Sequence, residues 1–142
     1  MAGAPSGVVV DVTEATFPQA VIEQSATVPV VLDLWASWCG PCRRELPMLG
    51  HVQKLVGREY LEVIAINMKE PRSDYLGVLR ANKDLDLTFV HDVRGVVTDR
   101  YGVTALPNMF IIGQDGRIRH AFVNVDYSER AEPQALIEAA SH

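Results

Sequence analysis

The chain has 142 residues, the length of one domain, and its 48% hydrophobic and 22% charged residues are typical of a globular protein. Its formal net charge of −5 disfavours nucleic acid as a general partner. No run approaches eighteen apolar residues, so the sequence predicts a single domain over 1–142 without a membrane span.

Strands and helices are predicted to alternate, which is typical of an α/β domain. Before the first cysteine, the predicted elements are a strand over 8–10, a helix over 13–25 and a buried strand over 28–35. A helix then begins at Pro41, is kinked by Pro47 and ends near Val56. The second half is predicted to contain strands over 61–67, 85–90, 108–112 and 118–123, and helices over 73–82, 95–101 and 129–140. The step Asp115-Gly116 predicts a hairpin turn between the last two strands.

The only two cysteines, Cys39 and Cys42, are separated by two residues and follow directly after a predicted buried strand. A domain of this size does not need a disulfide for stability, so a redox-active pair is expected. Cys39 is predicted at a helix start, where backbone N–H groups and the helix dipole stabilise a thiolate. Cys42 lies one turn further in, so we expect Cys39 to attack a partner disulfide and Cys42 to resolve the mixed disulfide. Gly40-Pro41 between them favours a reducing dithiol.

Two other interpretations of the pair remain open at this point. The cysteines could form half of a zinc site, which would need two further ligands from four scattered histidines, including His51 and His91. They could also form an inert structural disulfide, although so short a ring restrains little of the unfolded chain. We predict no metal site, and we interpret both named histidines as surface or packing residues.

Two segments of the chain resemble the thioredoxin superfamily: 33–42, which reads DLWASWCGPC, and 101–112, which reads YGVTALPNMFII. This resemblance implies a thioredoxin-like fold, in which a mixed sheet is flanked by helices. Within the superfamily, the chain is similar to the TlpA/ResA-like reductases, because 43–47 and 90–95 also match that group. The resemblance implies an extra helix and strand, an insertion at about 70–90, before the proline at position 107. The segment 13–17, near the start of the chain, instead resembles plain thioredoxin.

Two acidic residues are predicted to assist the cysteines. Asp33 lies in the apolar strand, where its pKa should be raised, so that it could take the proton of Cys42; a structural acid is the alternative. Thioredoxin has a lysine beside this acid, and here the corresponding residue is Ala65, which should leave Asp33 harder to ionise. For Glu45, the resemblance implies an acid at the edge of the active site that tunes the cysteine pKa values. The alternative is an ordinary solvated residue of the helix.

The resemblance also implies the residues that contact a partner protein. In the superfamily, the proline that corresponds to Pro107 has a cis peptide bond and faces the dithiol. The backbone of the preceding residue, here Leu106, could then pair with a substrate strand. Trp38 would lie across the active-site surface, and the predicted contact set is Trp38, Gly40, Pro41, Leu106 and Pro107. Trp35 is expected in the core.

Together these features predict an enzyme that reduces protein disulfides outside the cytoplasm, with its export signal removed. Its partners would be protein thiols and an upstream thiol reductant; no cofactor beyond the cysteine pair and a monomeric state are expected. Residues 1–7 are expected to be flexible, and they lack the pattern of a signal peptide. A general cytoplasmic thioredoxin and a redox-switched binding module or holdase are the alternatives.

Overall fold

A computed structural model describes residues 9–11, 27–104, 106 and 108–123 of the chain. The first seven residues, the predicted helices over 13–25 and 129–140, and Pro107 lie outside these described residues. The predictions made for them are therefore not addressed by the structure.

The described residues form six strands and three helices. The strands are β1 (Val9–Asp11), β2 (Val30–Trp35), β3 (Glu62–Met68), β4 (Thr88–Asp92), β5 (Asn108–Ile112) and β6 (Ile118–Val123). The helices are α1 (Gly40–Val56), α2 (Arg72–Ala81) and α3 (Val96–Arg100).

All six strands belong to one mixed sheet, in the order β1-β4-β3-β2-β5-β6. The first four strands in this order are parallel to one another, while β5 runs antiparallel to both β2 and β6. The helices and this sheet confirm the predicted α/β, thioredoxin-like fold. The predicted insertion supplies α2 and most of β4, and β4 lies between β3 and β1 in the sheet.

The central strand β2 is buried on both faces, as its apolar sequence predicts. Because side chains alternate along a strand, its odd-numbered residues share one face and its even-numbered residues the other. Val31 and Trp35 pack into the apolar cluster that contains the inner side of α1. Leu32 and Leu34 pack into a second cluster with residues of α3. Asp33, between Val31 and Trp35, therefore points toward α1.

The helix α1 buries one stripe of side chains at the spacing of a regular helix. Its buried residues are Cys42, Glu45, Leu46, Leu49, Gly50, Val52 and Gln53. The helix continues through Pro47, which is exposed, and ends at Val56 as predicted. Gly57 follows with a φ of 83°, a value that glycine adopts without the steric cost of a side chain.

The prediction for β4 was wrong in its position, because the strand begins at Thr88 rather than Leu85 and extends to Asp92. Leu85 instead packs against α1, where it would lie 3.1 Å from a Cβ added to Gly50. The guanidinium of Arg58 holds the next turn by donating to Asp86 at 3.0 Å and to Thr88 at 2.6 Å. These contacts hold the irregular segment that precedes β4, and local β propensity does not predict them.

Within the described residues, no helix combines the length and apolar character needed to cross a bilayer.

Candidate dithiol active site

Cys39 and Cys42 are joined by a disulfide at the junction of β2 and α1, with their Cα atoms 5.3 Å apart. Cys39 is the N-cap residue of α1, and its sulfur accepts a hydrogen bond from the backbone N–H of Cys42 at 3.3 Å. A sulfur in this position lies at the positive end of the helix, which favours its thiolate once the disulfide is reduced. Cys39 is 5% exposed and Cys42 fully buried, so the predicted difference in accessibility is confirmed.

Three described members of the predicted partner-contact set, Trp38, Gly40 and Pro41, adjoin the two cysteines in the chain. Trp38 is 66% exposed, immediately before Cys39, whereas Trp35 is buried as predicted. Gly40 and Pro41 form the first turn of α1. Leu106 is half-buried and packs against both apolar clusters. An exposed indole beside a nearly buried sulfur is a suitable surface for contact with another protein.

Asp33 points from β2 toward α1, and neither adjacent strand, β3 or β5, contains a cationic residue. It is fully buried and is paired in register with Ala65 on β3 and with Met109 on β5. Ala65 is thus the residue of β3 that lies directly beside Asp33. Because side chains at paired positions share a face, two apolar neighbours flank the carboxyl within the sheet.

Glu45 lies on the buried stripe of α1 and is fully buried, so its interpretation as a solvated residue was wrong. Its carboxyl lies beside that of Asp33. Burial raises the pKa of Asp33 well above its ordinary value, and the negative charge of the neighbouring Glu45 raises it further. The protonated form of Asp33 is therefore favoured in the folded chain at pH values at which a free aspartate is ionised.

Sequence reasoning missed Glu70, which holds the loop that leads into Cys39. Its carboxylate accepts hydrogen bonds from the backbone N–H and from the hydroxyl of Ser37. It also accepts one from the side-chain amide of Asn67, at the end of β3, at 2.7 Å. Ser37 and Glu70 are 33 positions apart, so no local pattern in the sequence indicates this contact.

A column of rings connects the insertion to β2. Tyr75 of α2 stacks on His91 of β4, with ring centroids 4.4 Å apart, and lies 5.9 Å from the ring of Trp35. His91 Nε2 lies 2.7 Å from the carbonyl oxygen of Glu70 and must donate, because a carbonyl only accepts. The interpretation of His91 as a packing residue is thereby confirmed, and His51 is exposed.

Replacing Glu70 with alanine is expected to lower the free energy of unfolding by about 1–3 kcal/mol, because the buried amide of Asn67 and the Ser37 N–H lose their acceptor. Guanidinium unfolding would measure the loss, and amide hydrogen exchange should show lost protection at Ser37. Glu59→Ala, at an exposed turn, is the matched control and should change stability by less than about 0.5 kcal/mol. An unchanged stability for Glu70→Ala would contradict this role.

The part of the chain that the structure describes contains no group of three or more His, Cys, Asp or Glu side chains arranged to hold a metal ion.

The redoxin family model matches residues 5–137 of the chain. The thiol:disulfide interchange protein DsbE homolog of Paracoccus denitrificans is 40% identical over 131 residues, which cover 87% of this chain and 70% of that protein. The thiol-disulfide oxidoreductase ResA of Geobacillus thermodenitrificans is 34% identical over 92 residues, which cover 63% of this chain and 51% of that protein. The chain thus spans between half and 70% of the length of these two relatives.

Among solved structures, StoA from Bacillus subtilis superimposes with a TM-score of 0.68 at 22% identity, covering 80% of this chain and 82% of that one. This likeness shows the fold.

Proposed function

Since this chain belongs to the redoxin family, we propose that it is a thiol-disulfide oxidoreductase that reduces disulfides in other proteins. The observation that carries the proposal is the Cys42 N–H directed at the Cys39 sulfur, at the start of α1. A thiolate at that position is stabilised, and the residue that precedes it, Trp38, is exposed. The two sulfurs are themselves the redox group, and the proposal includes no further cofactor.

The first step is the attack of the reduced Cys39 thiolate on one sulfur of a partner disulfide. A bond forms between Cys39 Sγ and that sulfur, the partner's S–S bond breaks, and the second partner sulfur leaves as a thiolate. The nearly buried Cys39 is the sulfur that a partner can reach, because Cys42 is fully covered.

In the second step, Cys42 attacks Cys39 and releases the remaining partner sulfur as a thiolate. The Cys39–Cys42 disulfide forms, and two electrons have passed to the partner, whose thiolates take up two protons. The thiol of Cys42 must first lose its proton, and the ionised Asp33–Glu45 pair is the group proposed to accept it. The raised pKa of Asp33 suits this task because it lies closer to that of a thiol.

We further propose a direction of electron flow, an electron donor and a cellular compartment. Gly40-Pro41 and the thioredoxin-like surroundings favour net reduction, with an upstream thiol reductant restoring the dithiol. We place the activity outside the cytoplasm, which is supported by the similarity to DsbE-type and ResA-type proteins. Fractionation of cells expressing the natural gene would test the compartment, and recovery in the cytoplasm alone would contradict it.

The proposed function is tested by the reduction of insulin disulfides in the presence of dithiothreitol, together with the reduction potential of the pair. We expect catalysed turnover and a potential near the thioredoxin value of about −270 mV, measured by equilibration with glutathione. A potential near the DsbA value of about −120 mV would reverse the direction. An absence of turnover would favour a redox-switched binding module and overturn the enzymatic proposal.

A further inference from the structure

A groove of about 650 Å³ lies beside the dithiol, between α1 and the insertion helix α2. One wall contains Gly40, which stands between the two cysteines. The other wall follows α2 from Ser73 to Ala81, and Asn82 lies just beyond it. At a rise of 1.5 Å per residue, that wall is about 13 Å long. This length matches about four residues of extended polypeptide.

Two guanidinium groups are gathered at the end of the groove nearest Cys39. Arg43 Nη1 donates to the carbonyl oxygen of Ser37 at 3.3 Å, in the loop that precedes the dithiol. Arg44 Nη1 would lie 3.3 Å from a Cβ on Gly40, so its guanidinium covers the first turn of α1. Both arginines are exposed, so the described residues at this end of the groove include two cationic side chains.

The wall formed by α2 leaves room for a ligand and contributes little opposing charge. Gly77 is exposed in the middle of this wall, and a Cβ added there would meet no atom within 4 Å. Asp74 is the one carboxylate among the described lining residues, and it lies in the first turn of α2. Two cations therefore face a single anion, with open space between the walls.

We propose that this groove binds an acidic segment of the partner polypeptide next to its disulfide cysteine. The inference rests on the proposed function, since it identifies which partners the dithiol meets. Carboxylates of the segment would contact Arg43 and Arg44, which form planar, multidentate hydrogen bonds with such groups. The remaining residues of the segment would lie along α2 past Gly77. The insertion thereby provides one side of a charge-selective binding site.

The test uses the reduced full-length protein with two disulfide peptides of one sequence, in which glutamates flank one cysteine or are replaced by glutamines. For wild type and for each variant, the kcat/KM with each peptide is divided by the rate of the same protein with bis(2-hydroxyethyl) disulfide. This ratio corrects for any change in sulfur reactivity. We expect the glutamate peptide to be preferred by wild type. Arg43→Gln and Arg44→Gln should each lower the preference about threefold, and the effect should vanish at 1 M salt.

Three further variants separate binding from other effects. Asp74→Asn should raise the preference, because it removes the anion from the opposite wall. Gly77→Leu should lower kcat/KM for both peptides relative to the small disulfide, because it fills the groove without changing charge. Arg94→Gln, at an exposed arginine outside the groove, should leave the preference unchanged.

Equal kcat/KM values for the two peptides in wild type would overturn the groove proposal while leaving the proposed function intact. The same conclusion would follow if the arginine variants changed only the rate with the small disulfide, since the cations would then act on the sulfur. A failure to reduce the small disulfide and insulin alike would overturn both proposals.

Discussion

Cys42→Ser is expected to stop turnover, by more than about a thousandfold, and to leave the protein joined to its partner through Cys39. The variant retains the N-terminal sulfur at the start of α1, so the first attack can still occur. Residue 42 is fully buried one turn into the helix, and a serine hydroxyl there cannot break the mixed disulfide. Because the resolving thiol is missing, the covalent complex should persist when no external thiol is added.

Non-reducing gel electrophoresis and intact mass measurement with a disulfide peptide would detect this complex. Cys39→Ser is the matched control, since it keeps one thiol but places it at the covered position, and it should form no complex. If Cys39→Ser captured the peptide while Cys42→Ser did not, the roles assigned to the two sulfurs would be reversed.

Asp33→Asn is expected to make the protein more stable at pH 8 while slowing its release of partners. In wild type, an ionised carboxyl at this position would be fully buried beside Glu45 and flanked by Ala65 and Met109. Replacing this carboxylate with a neutral amide removes the cost of burying a charge without adequate partners, which is about 1–3 kcal/mol. Release of the mixed disulfide should slow about a hundredfold, because Cys42 loses its proton acceptor.

The raised pKa of Asp33 determines the sign of the pH dependence. Below its ordinary value of 3.8, the carboxyl is protonated in both folded and unfolded chains, so it adds no pH dependence. As pH rises, the unfolded chain loses this proton first, and stability falls until the pH passes the raised value of the folded state. The Asp33→Asn variant has no carboxyl at this position and lacks this decline. The difference in unfolding free energy between the variant and wild type should therefore grow from about zero near pH 3 to its full value above the pKa of Asp33 in the folded state.

Guanidinium unfolding of both proteins between pH 3 and pH 9 would measure this difference. Glu45→Gln provides an internal check, because removing the neighbouring charge should lower the pKa of Asp33 and move the decline to lower pH. An Asp33→Asn variant that is less stable than wild type at pH 8 would contradict this expectation, because it would show that the folded chain stabilises the ionised carboxyl.

The sequence reveals the dithiol and Asp33 because their signals are local. Two cysteines three positions apart at the end of an apolar strand place the sulfurs at a helix start, and one acid within that strand must be buried. The burial of Glu45 could also have been predicted. It follows Cys42 by three positions and precedes Leu49 by four, so helical periodicity puts it on the same inner face.

Other features depend on contacts that no local pattern records. The bond between Ser37 and Glu70 joins a loop to the beginning of the insertion, and both residues are ordinary polar types in turns. The start of β4 was misplaced because Leu85 has the composition of a strand residue but is held against α1. In each case, tertiary contacts decide the conformation where local propensity is ambiguous.

The position of β4 between β3 and β1 also has a consequence for how the chain folds. Val9 pairs with Phe89, so the first strand joins the sheet through a residue eighty positions later. During synthesis, β1 therefore has no neighbour until the insertion has left the ribosome. Contacts so distant in sequence require closure of a long loop, which slows folding. Of the described strands, β1 is made first, yet it can take its place in the sheet only after three others have been made.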